Sequence, residues 1–381
     1  MSSPIKKTRS IARNVEQRLI ACSAGRCEFR GCNKDLYQHP ITGTQGNFSE
    51  KAHIVAYQEE GPRGNETRPK DINAFENLML LCGECHHLVD KVSPNLFPVM
   101  LLRQYKREHE ERIVSLTKLG PEQRTTIIQL RSSIGSQSVD IPPNNMQEAL
   151  YPRYAAQFPG VFIDLCSIQR ENSNFFNLAR EQIRRELRPQ LKAERESKQV
   201  QHYSVFALAP IPTLICLGRE LGNKLHIDLF QRHRDHSWKW REEGNIVEYK
   251  MHLLREGTNL DCVGLQLSLS GKISPHSIPQ EIDDKFYMYE ITLYNIEPGV
   301  EFLRRREDLT EFQRIYRDSL NRLVAKHGHF PELHLFLAVP TTIAISCGME
   351  VMPKAHPALK VYDNIKGSFI PAIIVNTGDD L

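Results

Sequence analysis

No apolar run in the 381 residues approaches the roughly 20 needed to span a bilayer, so no membrane role is expected. The basic start, MSSPIKKTRSIARN, is followed by no apolar signal core; the chain does not read as secretory and is expected to be cytoplasmic. A large charge excess is missing too. The net charge is +3, which gives no global argument for nucleic-acid binding. What excess exists lies at the front, where residues 1–120 carry 18 Lys/Arg against 14 Asp/Glu, a mild match to a polyanion. Tryptophan is scarce: there are two, and both fall in one stretch. Cysteine is present but does not pair off. Nine is odd, the spread is uneven, and in a cytosolic chain this favours metal ligation over disulfides.

With 40% hydrophobic and 25% charged residues the composition is that of a globular protein, too long for one ordinary core. Residues 8–24 repeat apolar positions at Ile11, Val15, Leu19 and Ile20, a helical period, and LLRQYKREHEERIVSLTKL (101–119) reads as a second helix with a solvated charged face. Between them lie a knuckle, GRCEFRGCNKDL, a strand, KAHIVAY, and a turn-rich loop, QEEGPRGNETRPKD. GPEQ at Gly120–Gln123 breaks the pattern and sets domains at 1–120 and 121–381. Beyond it, strand-like TTIIQLRSSI, YSVFALAPI, CVGLQLSLSG, KFYMYEITLY and ELHLFLAVP alternate with the helical runs NSNFFNLAREQIRRELRPQLKAE and LTEFQRIYRDSLNRLVAKHG. That alternation predicts an α/β domain with mainly parallel sheets.

Sliding the chain by 130 residues aligns SVFALAPIPTLICLGRELGNKLHIDL (204–229) with HLFLAVPTTIAISCGMEVMPKAHPAL (334–359). Phe206 meets Phe336, Pro210 meets Pro340, Gly218 meets Gly348 and Glu220 meets Glu350. Each copy reads as a buried strand, a turn with Pro and a helix, so the unit is duplicated.

In the first domain Cys27–x4–Cys32 and Cys82–x2–Cys85 have the short spacings of a tetrahedral Zn2+ site. The roughly 50 residues between the pairs are long for a plain zinc ribbon. They hold His53 in EKAHIVA and Asn77 in ENLMLLC, and His86 follows Cys85 directly. The ordered set Cys27, Cys32, His53, Asn77, Cys82, Cys85 and His86, ending in Leu88–Asp90, resembles the HNH endonucleases of the ββα-metal fold, over roughly residues 20–95. The resemblance implies His53 as the general base acting on water, His86 as ligand of a catalytic Mg2+ or similar divalent cation, and Asn77 as a catalytic residue that fixes His53 or helps hold the metal. Histidine suits the first role because it titrates near neutrality. Where many relatives carry a metal-binding Asp or His before the first histidine, this chain has Ala52, leaving Glu50 and His87 as candidates for the remaining ligand. His87 reads more naturally as a surface residue. Arg63, Arg68 and Lys70 in the loop could touch phosphates or form a solvated charge run.

In the second domain, ligands of open α/β sheets sit at strand carboxyl ends, which places Ala209–Thr213 and Val339–Thr342 at the rim of a pseudo-symmetric cleft. FQRHRDHSWKW follows the first repeat and holds both tryptophans; these either stack on a ligand or cover the sheet. LRRRED (Leu303–Asp308) reads as a charged helix face. Repeat position and chemistry nominate Pro212, Gln231, Arg232, Trp238, Trp240, Thr341, Lys354 and Tyr362 as ligand contacts. The motifs FALAPIPTLICLGREL, QRHRDHSWKW and LFLAVPTTIAISCG…HPALKVYD resemble the SAVED domain, a fused pair of Rossmann/CARF-like units that senses cyclic oligonucleotides, over roughly 125–381.

The expected architecture is therefore an α+β zinc-stapled HNH domain followed by an α/β domain of two fused Rossmann/CARF-like units. The combination resembles the HNH–SAVED effector nucleases of bacterial CBASS anti-phage systems. It implies a double-stranded DNA substrate, activation by a cyclic di- or trinucleotide such as a cyclic GMP-AMP, and a homo-oligomer, dimer or tetramer, on activation. Two other readings stay open: a constitutive HNH restriction enzyme with a DNA-reading C-terminal half, and a zinc-knuckle DNA-binding regulator with a ligand-sensing domain.

Overall fold

The computed structural model describes residues 10–133, 140–170, 173–197, 202–244 and 246–377. Thr8 and Arg9 of the first expected helix, Ile134 closing an expected strand and Asn172 opening the long helix lie outside them. The chain forms two compact units, Met1–Gly120 and Pro121–Leu381.

In the first unit helix α1 (Arg13–Ser23) closes on Ala24, which takes a left-handed conformation (φ 51°) and returns its N–H to Ala21 and Ile20 carbonyls. Strand β1 (Ser49–His53) pairs antiparallel with β2 (Leu78–Cys82), in a register that sets His53 opposite Leu78 and Ser49 opposite Cys82. All five residues of β2 are buried, as its unbroken apolar run requires. Helix α2 (Gly83–His87) follows at once, passes into a π-helical turn (Leu88–Val92), and α3 (Val99–Thr117) completes the unit. A single core of Leu19, Leu36, Ile54, Leu78–Leu81, Val89 and Leu102 joins these elements. The strand expected over KAHIVAY ends at His53. Past that point the backbone leaves the ladder, because Ile54 N–H goes to the Asn77 carbonyl and Val55 N–H to the Asn77 side chain.

The second unit runs β3 (Arg124–Arg131), α4 (Pro143–Leu150), β4 (Tyr154–Ala155), β5 (Val161–Asp164), α5 (Phe175–Ser197), β6 (His202–Leu208), α6 (Ile211–Leu221) and β7 (His226–Phe230). It continues with β8 (Tyr249–Arg255), β9 (Val263–Ser268), β10 (Tyr287–Leu293), α7 (Arg306–His327), β11 (Glu332–Ala338), α8 (Thr341–Met349), β12 (Ala358–Ile365) and β13 (Ser368–Val375). The first sheet has the parallel order β5-β3-β6-β7, with short β4 also on β3. The second has β10-β9-β11-β12, again parallel, flanked by antiparallel β8 and β13. The two parallel orders are the same, so the duplication seen at an offset of 130 residues extends over four strands and two helices of each copy.

The helices of the two copies meet at matched glycines. A Cβ on Gly218 would lie 1.9 Å from the Ile345 carbonyl oxygen, and one on Gly348 would lie 2.1 Å from that of Ile215. Ile215 and Ile345 are themselves equivalent across the repeat. Only residues without a Cβ allow α6 and α8 to cross backbone to backbone, and this explains the paired glycines. The equivalent acids are also used alike: Glu220 binds Arg184 (2.7 Å) and Arg188 (2.7 Å), and Glu350 binds Arg317 (2.7 Å).

Candidate functional site

In the first unit the two cysteine pairs converge. The four sulfurs lie within 4.8 Å of one another, and Cys32 Sγ is 3.8 Å from Cys82 Sγ. That separation is far beyond the roughly 2 Å of a disulfide. It is the edge, about 3.8 Å, of a tetrahedron with metal–sulfur bonds of about 2.3 Å. Backbone N–H groups support the thiolates: Cys82 N donates to Cys27 Sγ (3.3 Å) and Cys85 N to Cys82 Sγ (3.4 Å). Burial pushes the Cys27 thiol up to about 12 without a metal, and a bound cation would favour its thiolate. The set can hold zinc.

This knuckle sits at the end of β2 and the start of α2, and so positions the histidines. The His53 ring is half-buried, meets Tyr57 edge to face, and places Nε2 2.9 Å from Asn73 Oδ1. An amide oxygen only accepts, so Nε2 carries the proton and Nδ1 is the basic nitrogen. Asn77 reaches neither the His53 ring nor a metal position. It is 1% exposed, and its carboxamide is fully used on backbone: Oδ1 accepts from Val55 N (2.9 Å), while Nδ2 donates to the carbonyls of Val55 (3.0 Å) and Ile72 (2.9 Å). It holds the chain that follows His53, and Asn73 holds the ring.

His86 lies on α2 with Nε2 3.1 Å from Asp90 Oδ2 and Nδ1 3.8 Å from Glu50 Oε2 on β1. The hydrogen bond to Asp90 raises the His86 pKa above its ordinary value against the opposing effect of burial. Burial would raise Asp90, but hydrogen bonds from His86 and Arg63 outweigh it and hold the carboxyl below the usual range. Arg63 is neither a phosphate contact nor a solvated charge. With φ at 57° it turns inward, and its guanidinium donates to the Ile54 carbonyl (2.7 Å), the Val89 carbonyl (3.1 Å) and Asp90 Oδ1 (2.6 Å). Arg68 likewise donates to the carbonyls of Ala56, Gly64 and Tyr57. Of the three loop cations Lys70 alone is exposed. Asn73, Arg63 and Arg68 were missed as structural groups because they sit in an irregular loop, where spacing has no period.

In the second unit the rim of the second copy gathers part of the nominated set. Gln231, just past β7, accepts through Oε1 from Thr342 Oγ1 (2.9 Å) and Thr341 Oγ1 (3.4 Å) in the first turn of α8. A cavity of about 340 Å3 opens there, lined by Gln231, Arg232, His233 and Pro340, with Arg234, Arg241 and Arg304 set against Asp235 and Glu301. Arg241 hydrogen-bonds Asp235 and holds it down to about 2; Glu301 lies 3.4 Å from Arg234 and 3.5 Å from Arg304. Four arginines against two carboxylates leave the wall positive. Burial keeps the His233 pKa below its ordinary value, and its Nε2 is buried without a partner.

The other nominated residues lie elsewhere. Trp238 is 1% exposed and packs on Phe206, the sheet-covering alternative; Trp240 donates its indole N–H to the Leu229 carbonyl (3.0 Å). Pro212 is buried in the first turn of α6, where it corresponds to Thr342 of α8. Lys354 is exposed, with φ at 66°, in the loop between α8 and β12. In a βαβ unit that loop lies at the strand amino ends, opposite the rim, so Lys354 cannot share a site with Thr341. Tyr362 is buried in an apolar cluster with Phe286, Phe336 and Phe369, and its hydroxyl meets His334 Nδ1 at 2.9 Å. LRRRED is not simply a helix face: Leu303 and Arg304 line the cavity, and Arg306, which opens α7, pairs with Asp228.

These features define a ββα domain of the HNH class, with a four-cysteine cluster, joined to a duplicated α/β fold. Residues 27–93 match the family model described as HNH endonuclease. Residues 183–375 match that described as SMODS-associated and fused to various effectors sensor domain, SAVED, and the chain belongs to this family. Among solved structures, an Acinetobacter baumannii Cap4 SAVED/CARF-domain containing receptor with the cyclic trinucleotide 3′3′3′-cAAA is 13% identical, with a TM-score of 0.44 over 73% of this chain and 61% of that one. The corresponding Moraxella osloensis receptor is 12% identical, with a TM-score of 0.38 over 73% and 58%. The chain thus spans about three fifths of the length of these receptors. No curated protein matches it.

Proposed function

We propose that the protein is a divalent-metal-dependent DNA endonuclease kept idle until a cyclic di- or trinucleotide, such as a cyclic GMP-AMP, occupies the sensor cleft. Its task is to degrade double-stranded DNA in anti-phage defence, with self-association into a dimer or tetramer on activation. The observation that carries this reading is one chain joining a histidine with a free Nδ1, fixed by Asn73, to an arginine-lined cleft at the first turn of α8. The SAVED and HNH matches support the two halves separately.

In this reading Nδ1 of His53 takes a proton from water as the water oxygen attacks phosphorus and the 3′ oxygen leaves. The Nε2–H···Asn73 bond supports the imidazolium that forms. Asn77 keeps the backbone after His53 from moving, so that the base stays aimed. His86 would hold the divalent cation, which supplies charge stabilisation to the phosphorus oxygens and leaving group when bound. In the cleft, the arginines neutralise phosphates.

Purified protein is incubated with plasmid and Mg2+, with and without a panel of cyclic di- and trinucleotides. Linear and degraded products are expected only with an active member of the panel, and His53→Ala should lower the rate about 10²–10⁴-fold. Cleavage at full rate without any nucleotide would sink the activation reading and favour a constitutive nuclease.

A further inference from the structure

The side chains around His86 say more about the metal than the histidine alone. Alternate residues of a strand share a face, so Glu50 and Ala52 of β1 point the same way. Ala52 has no donor for a cation, whereas the Glu50 carboxylate is more than half exposed and stands 3.8 Å from His86 Nδ1. That distance is too long for a hydrogen bond. It fits two donors of one ion, since ligands each about 2.1 Å from a cation are at most about 4.2 Å apart.

The ring is prepared for this. Nε2 faces Asp90 Oδ2, which can only accept, so the ring proton sits on Nε2 and Nδ1 presents its lone pair toward Glu50. Asp90 is itself fixed by Arg63, whose side chain is 6% exposed and whose guanidinium is anchored on two backbone carbonyls. A carboxylate that accepts from one ring nitrogen sets the tautomer and orientation of a histidine and makes the other nitrogen a better metal ligand.

We propose that the Glu50 carboxylate and Nδ1 of His86 together hold the catalytic divalent cation, with Asp90 and Arg63 as positioning residues. The proposal rests on the metal-dependent nuclease reading above. Water and substrate phosphate oxygens complete the ion's shell, as is usual for hard cations.

The test uses full-length protein carrying His53→Ala, which leaves every group of this site in place. It is titrated with Mn2+, free ion is counted by electron paramagnetic resonance, and zinc is measured on the same samples. One Mn2+ per chain is expected beside one zinc. Adding Glu50→Gln should weaken Mn2+ binding at least tenfold with zinc retained, and Asp90→Asn should weaken it about tenfold through the ring tautomer. Unchanged Mn2+ affinity in Glu50→Gln overturns the ligand assignment while plasmid cleavage by the wild type keeps the nuclease reading standing. No Mn2+ binding in the parent overturns both. If Asp90→Asn loses zinc and hence its fold, Glu50→Gln, an isosteric change on an exposed side chain, decides alone.

Discussion

The two units hold their shapes by different means. The first relies on polar side chains that clamp irregular backbone: Asn77, Arg63 and Arg68 each bind three acceptors or donors, and buried Glu28 accepts from Leu80 N (2.6 Å). A four-cysteine cluster ties the ends of that backbone together. The second unit relies on layered apolar packing of two sheets and their helices, and its sharpest requirement is the absence of atoms, at Gly218 and Gly348. A small domain with a long loop has too little core to fix the loop by burial, so polar clamps and a four-cysteine cluster able to hold a metal take that task. A duplicated α/β fold has apolar surface to spare and fixes itself by shape.

This contrast can be broken or sharpened by experiment. The largest effect belongs to the staple. Cys82→Ser, or chelation of zinc, should unfold the first unit, since a structural zinc contributes on the order of 10 kcal/mol, comparable to a domain's whole stability. Limited proteolysis should then digest residues 1–120 and spare 121–381. A variant that stays folded without metal would show that the clamps suffice.

The next effect tests shape in the second unit. Gly218→Ala and Gly348→Ala each drive a Cβ to about 2 Å from a carbonyl oxygen across the helix pair. Each should cost about 4 kcal/mol or more in denaturant unfolding of that unit, with zinc content unchanged. The reciprocal contacts predict similar losses. A mild effect at one glycine alone would mean that the crossing is not symmetric in energy.

The smallest effect is a pH dependence in the second unit. His334 lies against Phe286 and Tyr362, and burial, with Lys360 adding to it, lowers its pKa to about 4. Glu332, 3.9 Å away, does not reverse this. Between pH 6.5 and 4 the unfolded chain binds a proton that the folded one refuses, so stability falls as pH falls through that window. The loss is about 3 kcal/mol at most, and His334→Gln should flatten this limb in thermal melts taken from pH 7 to 4. An unchanged limb would assign the pH dependence to other groups.

Much of this was legible in the chain. Cysteines carry their chemistry in their identity, so short spacings exposed the four-cysteine cluster, while His53 and His86 stood out through the resemblance to the HNH pattern. The repeat was legible because apolar strands and glycines recur at one offset, and the two copies share one strand order. The partners of these residues were not legible. Asn77 was the obvious companion for His53, but the loop folds back to bring Asn73 to the ring. Repeat position nominated Lys354 but could not say that it follows the helix and so faces away from the rim. Trp238 is chemically suited to stacking on a base, and the sheet took it instead.

The crossing of α6 and α8 has a mechanical consequence. With no side chain between the two backbones at Gly218 and Gly348, the helices are in direct backbone contact there, and a rotation of one copy against the other about that point would leave the contact intact. Ile211 and Thr341, where the two helices begin, each lie seven residues from their glycine, a lever arm of about 10 Å. The two arms are equal, so a small rotation at the fulcrum displaces both rims by the same amount.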